Sequence, residues 1–162
     1  LSLAKDIQKA AGRMLADKRF LWVGQNVTHF FRRCECDVIG INKSEYLIEV
    51  EVKISRSDFK ADFRKSRWKP MELIVKKGKL NTSSKLLNIS RFPNRHYYCC
   101  PTGIINVSEL PPWSGLIYFD QETQLLNVVK RAPLLHKQKV NLMKSLKYAA
   151  RRSVRKEFGI SF

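Results

Sequence analysis

The sequence predicts an α/β domain in which a mixed central β-sheet is flanked by helices. Three observations lead there. Apolar residues recur at helical spacing near both ends of the chain, and runs of β-branched and aromatic residues separated by turn formers fill the middle. The length of 162 residues suits one domain. A chain of that size buries roughly 70% of its unfolded surface, enough for a single core.

The first helix is expected over residues 3–18, where Leu3, Ile7, Ala10, Ala11, Met14 and Leu15 recur at three- and four-residue steps. The stretch "FLWVGQNVTHFFRRCECDVIGI" should hold one or two strands, the last running from about Arg33 to Ile41 into the polar turn "NKSE". "YLIEVEVKI" returns from that turn, which predicts a hairpin. On the return strand Val50, Val52 and Ile54 face one side, and Glu49, Glu51 and Lys53 the other. Ser55, with Asp58 three residues later, has the pattern of a helix capping box. Phe59, Phe63 and Trp68 continue at near-helical spacing until Pro70. Residues 71–94 are rich in turn formers and basic residues and are expected to form an insertion or mobile loop. Strands follow at "RHYYCC", "GLIYFD" and "QLLNVVK", the last two joined through "DQET". A basic helix over about 137–158 ends the reading, with Val140, Met143, Leu146, Ala150 and Val154 along one face.

Charge is the strongest compositional fact: 31 Lys and Arg against 14 Asp and Glu, a formal +17. Such an excess repels itself in the folded state and suits a polyanionic partner. Between Glu122 and Glu157 there is no acid but ten basic residues. No apolar run approaches the ~20 residues needed to span a bilayer, so no membrane insertion is expected. The chain begins without Met, and "LSLAKDIQKAAGRML" lacks a signal peptide's apolar core; the expectation is an intracellular protein, cytoplasmic or nucleoid-associated. The cysteines agree. Cys34 and Cys36 form CxC and Cys99 and Cys100 are adjacent, neither being a zinc knuckle. The scattered His29, His96 and His136 argue against a histidine metal site.

Acids are scarce here, yet Asp37, Glu49 and Glu51 crowd beside Lys53. Like charges on one strand face are costly unless a cation joins them. Mg²⁺ takes hard oxygen ligands and keeps several waters, so two carboxylates and a backbone carbonyl suffice. Asp37 and Glu51 would supply the carboxylates and Val52 the carbonyl. Lys53 would hold or deprotonate an attacking water and stabilise phosphate charge. Glu49 reads either as a supporting carboxylate or as a solvated residue. Ser55 and Asp58 read mainly as helix caps close to the catalytic strand, and Asp62 as a partner of Arg56 or Lys65.

The order Asp, spacer, Glu-x-Lys resembles the signature of the PD-(D/E)xK nuclease superfamily. A narrower resemblance is carried by "DVIGI", "EVEVKISRSDFKADFRK", "YYCCP" and "ELPPWSGLIYFD", which look like the ordered blocks of MmcB-type DNA repair proteins. It spans about Arg32 to Pro133. The resemblance implies a restriction-endonuclease-like fold, a role in handling DNA, and catalytic positions at Asp37, Glu51 and Lys53. Two departures stand out: Asp62 is followed by "FRKSRWKP", and about twenty extra residues precede "YYCCP". Many superfamily members add an acid from the first helix, for which Asp6 and Asp17 are the candidates here.

The function expected is Mg²⁺- or Mn²⁺-dependent hydrolysis of DNA phosphodiesters, selective for structure or strand state rather than sequence. Arg64, Lys65, Arg67, Trp68 and Lys69, with Lys144, Lys147, Arg151, Arg152 and Arg155 of the last helix, would grip the backbone. A non-catalytic nucleic-acid-binding module on the same fold and an RNA-directed nuclease stay open as alternatives. One site cuts one strand, so a homodimer is compatible with a duplex substrate.

Overall fold

Alternation of β-branched and aromatic residues builds a six-stranded sheet whose spatial order follows the order of the strands in the chain. The computed structural model describes residues 2–31, 34–64 and 92–159. Helix α1 (Leu3–Asp17) leads into β1 (Trp22–Phe31), β2 (Cys34–Ile41) and β3 (Leu47–Val52). Helix α2 (Arg56–Asp62) precedes β4 (Arg95–Pro101), β5 (Ser114–Phe119) and β6 (Leu126–Lys130), and helix α3 (Leu142–Glu157) comes last. The pairs β1/β2, β2/β3 and β5/β6 are antiparallel, whereas β3/β4 and β4/β5 are parallel. The result is a mixed sheet with three α-helices among the described residues. None of those helices is long and apolar enough to cross a membrane.

The β2–β3 turn forms where "NKSE" predicts it. Asn42 Oδ1 accepts from the backbone N–H groups of Ser44 and Tyr46, both at 3.0 Å, and Glu45 takes a positive φ of 62°. This closure sets the register Val38↔Val50 and Gly40↔Ile48. Every residue of β3 is buried, because both faces of this inner strand are covered. On one face Ile7, Ala11 and Leu15 of α1 pack with Val38, Ile48, Val50 and Val52. On the other, Phe59 of α2 packs with Tyr98, Cys100, Ile105, Leu110 and Leu116. Cys99 and Cys100 are buried thiols within β4, Cys100 pushed up to about 11 by burial, as a small apolar residue in a strand should be.

Two boundaries differ from expectation, the end of the insertion and the start of the last helix. Residues 71–91 of the expected insertion and Trp68 to Pro70 of the extended second helix lie outside the described residues. Phe92, Pro93 and Asn94, however, are buried, though without regular structure. The last helix begins at Leu142, capped by Asn141 Oδ1 accepting from Lys144 N–H at 2.9 Å. Residues 131–141 instead run without regular structure along the sheet. Their backbone is already engaged: Asn94 Nδ2 donates to the carbonyls of His136 and Gln138 at 2.9 Å each, and Val140 N–H donates to Glu45 O at 3.0 Å. Of the apolar face expected of α3, Met143, Leu146 and Val154 are exposed, while Val140 packs against the cluster of Val27, Cys36 and Ile39 together with Leu142, and Ser145 is buried.

Asn94 ties these parts together. Fully buried, it accepts from Leu47 N–H at 2.7 Å while its amide holds the 131–141 segment. Asn94→Ala should therefore leave one donor and two acceptors unsatisfied, at about 1–3 kcal/mol for each that water does not reach. The expected outcome is a loss of about 3 kcal/mol or more in urea unfolding, read as a lowered midpoint at unchanged slope.

Candidate active site

The β2–β3 ladder ends at Val38↔Val50, and the next residues along it, Asp37 and Glu51, carry the acids. There Asp37 replaces a ladder bond with its side chain: Oδ2 accepts from Val52 N–H at 2.8 Å. One residue on, Lys53 N–H turns the other way and donates to Cys99 O at 2.9 Å. Backbone N–H and C=O of one extended residue point to the same side, so the Val52 carbonyl is directed toward the Asp37 side. The three oxygens expected to serve a cation thus come from two adjoining strand ends.

Helix α1 completes the wall. Gln8 Nε2 donates to Asp37 Oδ1 at 3.2 Å, and Gln8 is also bound through its own carbonyl to Gln25 Nε2 of β1 at 3.0 Å. Ala4 and Gln8, Asp37, Glu51 to Ile54, and Asp58 line one cleft of about 330 Å³. Asp6 and Asp17, the acids expected from the first helix, line a different groove against Gln124 and Leu126. The polar residue that α1 contributes to the cleft is Gln8, which no motif marked. Its only sequence signal is its place one turn beyond Ala4 and beside the buried Ile7.

Lys53, on the strand face of Glu49 and Glu51, is buried at the base of the cleft, 4% exposed. Its Nζ is 3.0 Å from Glu51 Oε1, 3.3 Å from Asp62 Oδ1 and 3.7 Å from Asp58 Oδ1. Asp62 was expected to partner Arg56 or Lys65; its partners among the described residues include Lys53 and Tyr98, and Lys65 lies outside them. Asp62 is buried beneath α2, where Oδ2 accepts the Tyr98 hydroxyl at 2.7 Å. Its place three residues after the core residue Phe59 is the signal that would have put it inward. Arg56 instead pairs with Glu109. Ser55 is the helix cap, accepting Asp58 N–H at 3.1 Å, while the Asp58 carboxylate faces the cleft. Glu49 is fully buried, which removes the solvated reading; its β3–β4 register partner is His96. Of the basic candidates, Arg64, Lys144, Lys147, Arg151 and Arg155 are exposed. Lys65, Arg67, Trp68, Lys69 and the Arg152 side chain lie outside the described residues.

Burial, and then the charge of Glu51, raise the Asp37 carboxyl from 3.8 to about 6, against the lowering pull of the Val52 N–H, Lys53 and Gln8. Charging Asp37 in the folded chain therefore costs on the order of 3 kcal/mol. The part of the shift that comes from the Glu51 charge is a negative potential, which favours a cation. Two carboxylates and a directed carbonyl are the hard donors that Mg²⁺ or Mn²⁺ accepts. No group of three or more His, Cys, Asp or Glu arranged for a metal occurs among the described residues, so the fit rests on this two-carboxylate set.

Fold and site together define an α/β protein with a carboxylate-lysine cleft at the ends of its central strands. No protein-family model matches the chain, and no curated protein does. Among solved structures, a protein of unknown function from Silicibacter pomeroyi is similar, with a TM-score of 0.65 at 20% identity, over 100% of this chain and 97% of that one. At that identity the likeness is one of fold.

The Asp37 titration gives a signed expectation. Between 3.8 and about 6 the folded chain binds more protons there than the unfolded chain. The contribution to stability is full below that window and is lost as pH rises through 6. A carboxyl-carbon NMR titration should find the midpoint near 6, and Glu51→Gln should move it toward the ordinary carboxylate value. Asp37→Asn should raise the melting temperature above that midpoint and leave it unchanged at low pH.

Proposed function

We propose that this protein is a metal-dependent nuclease of the PD-(D/E)xK type with a restriction-endonuclease-like fold, hydrolysing DNA phosphodiesters with selectivity for structure or strand state. One observation carries the reading: the β2–β3 hairpin brings Asp37, Glu51, the Val52 carbonyl side and Lys53 to a single cleft. The MmcB-type blocks of the sequence support it, since their shared residues are the ones that meet there.

Asp37 and Glu51 would hold Mg²⁺ or Mn²⁺ with the Val52 carbonyl. Such an ion polarises a phosphoryl oxygen and activates water at neutral pH. The chain's own part is positional. Gln8 and Val52 N–H orient the two oxygens of Asp37. Lys53 presents an ammonium that orients the incoming water and balances charge building on the phosphate. The +17 excess concentrates a polyanion, and the exposed Arg64 and α3 residues Lys144, Lys147, Arg151 and Arg155 contact its phosphates.

The purified protein should cut single-stranded, duplex or branched DNA with Mg²⁺ or Mn²⁺ and not with EDTA. Lys53→Ala should lower the rate by about 10²–10³ or more with DNA affinity kept, and Asp37→Asn or Glu51→Gln should also lose Mn²⁺ binding. Binding without cutting in every metal, on DNA and RNA alike, favours the non-catalytic module; cutting confined to RNA moves the substrate class. Neutralising Lys144, Lys147 or Arg151 should weaken binding on all sequences. Each should lower the slope of log affinity against log salt by about 1. An unchanged slope removes α3 from the interface.

A further inference from the structure

Beneath the cleft lies an acid that the proposed chemistry does not use. Asp62 is 1% exposed, and its two oxygens have separate directional partners, the Lys53 ammonium at 3.3 Å and the Tyr98 hydroxyl at 2.7 Å. Tyr98 is in register with Glu51 across β3 and β4, so it rises from the sheet beside that acid. Its ring stands edge-on to Phe59, with centroids 5.0 Å apart, and to His96 at 4.7 Å. Burial and Asp62 both raise the Tyr98 hydroxyl, which keeps it a donor.

The acids around Lys53 are not equivalent. Asp58 is farther, at 3.7 Å, with a side chain 44% exposed, so water screens its hold. Glu51 is nearest at 3.0 Å but lines the cleft and would also face a cation. Asp62 is buried, does not line the cleft, and is oriented from behind. A lysine held by Glu51 alone would compete with any cation for the same carboxylate.

We infer that Asp62, oriented by the Tyr98 hydroxyl, is a positioning residue that fixes the Lys53 ammonium under the cleft and so leaves Glu51 able to serve a cation. The hold follows from the geometry; its catalytic consequence rests on the nuclease reading. Asp62 touches neither substrate nor cation and acts through Lys53.

The test uses the full chain and two readouts. Lysine ammonium groups exposed to water exchange too fast for a ¹H–¹⁵N cross-peak at neutral pH, whereas one buried among carboxylates gives a peak. The wild type should show one that disappears in Lys53→Ala. It should persist in Glu51→Gln, be lost in Asp62→Asn and shift in Tyr98→Phe, which removes one oxygen and spares the fold if Asp62→Asn does not. In cleavage assays Asp62→Asn and Tyr98→Phe should lower kcat by about 10- to 100-fold, with KM for DNA unchanged and, for Tyr98→Phe, with Mn²⁺ affinity unchanged. A Lys53 peak unaltered in both variants, or a kcat unmoved in both, overturns the positioning role. A wild type that cuts nothing in any metal sinks the nuclease reading instead, and the ammonium peak then decides the hold by itself.

Discussion

A lysine 4% exposed at the end of an inner strand can stay charged only if carboxylates replace the water it has lost. Glu51, on its own strand, supplies one. Asp58 and Asp62 come from α2, so the docking of that helix and the charge state of the cleft are one problem. Phe59 anchors α2 in the apolar layer with Tyr98, and the Tyr98 hydroxyl reaches the Asp62 carboxylate from the same layer. Apolar packing and ion pairing thus support each other across α2, β3 and β4. The network is costly to assemble, and removing one partner strands another.

Asp37 poses the opposite constraint. Its carboxyl is half-buried near Glu51, with two donors that only partly offset the crowding. Where Lys53 is neutralised from within, Asp37 carries a cost of burial and of the nearby Glu51 charge that Val52 N–H, Lys53 and Gln8 offset only in part. The two charges are therefore held differently: the Lys53 ammonium among carboxylates, the Asp37 carboxylate by Gln8 and the Val52 N–H. Helix α1 serves both the fold and the cleft. Ile7 and Ala11 seal the sheet while Gln8, on the adjoining flank, reaches Asp37.

Helix α3 stands apart from this economy. Most of its described residues are exposed, and Met143, Leu146 and Val154 are not covered by the domain. Its spacing makes a helix, but Asn141 starts it only after the 131–141 segment has been fastened by Asn94. The helix is therefore presented to the surroundings rather than drawn into the core, with its described basic residues exposed.

Local pattern alone decided the helix over residues 3–17, the β2–β3 hairpin, the Ser55 cap and the later strands, because periodicity, turn chemistry and capping act between residues close in the chain. It also picked out Asp37, Glu51 and Lys53, since a motif keeps its spacing in any environment. Burial was beyond its reach: Glu49 and Lys53 alternate like a solvated face, and only the covering of that face shows them to be inside. The same holds for Gln8 and Asp62, whose partners lie 29 and 9 residues away. Tyr98 meets Asp62 across 36 more. Such pairs exist only once the sheet has formed and the helices have closed over its two faces, which is why the tertiary structure, and not the pattern, chose the residues that hold the site in shape.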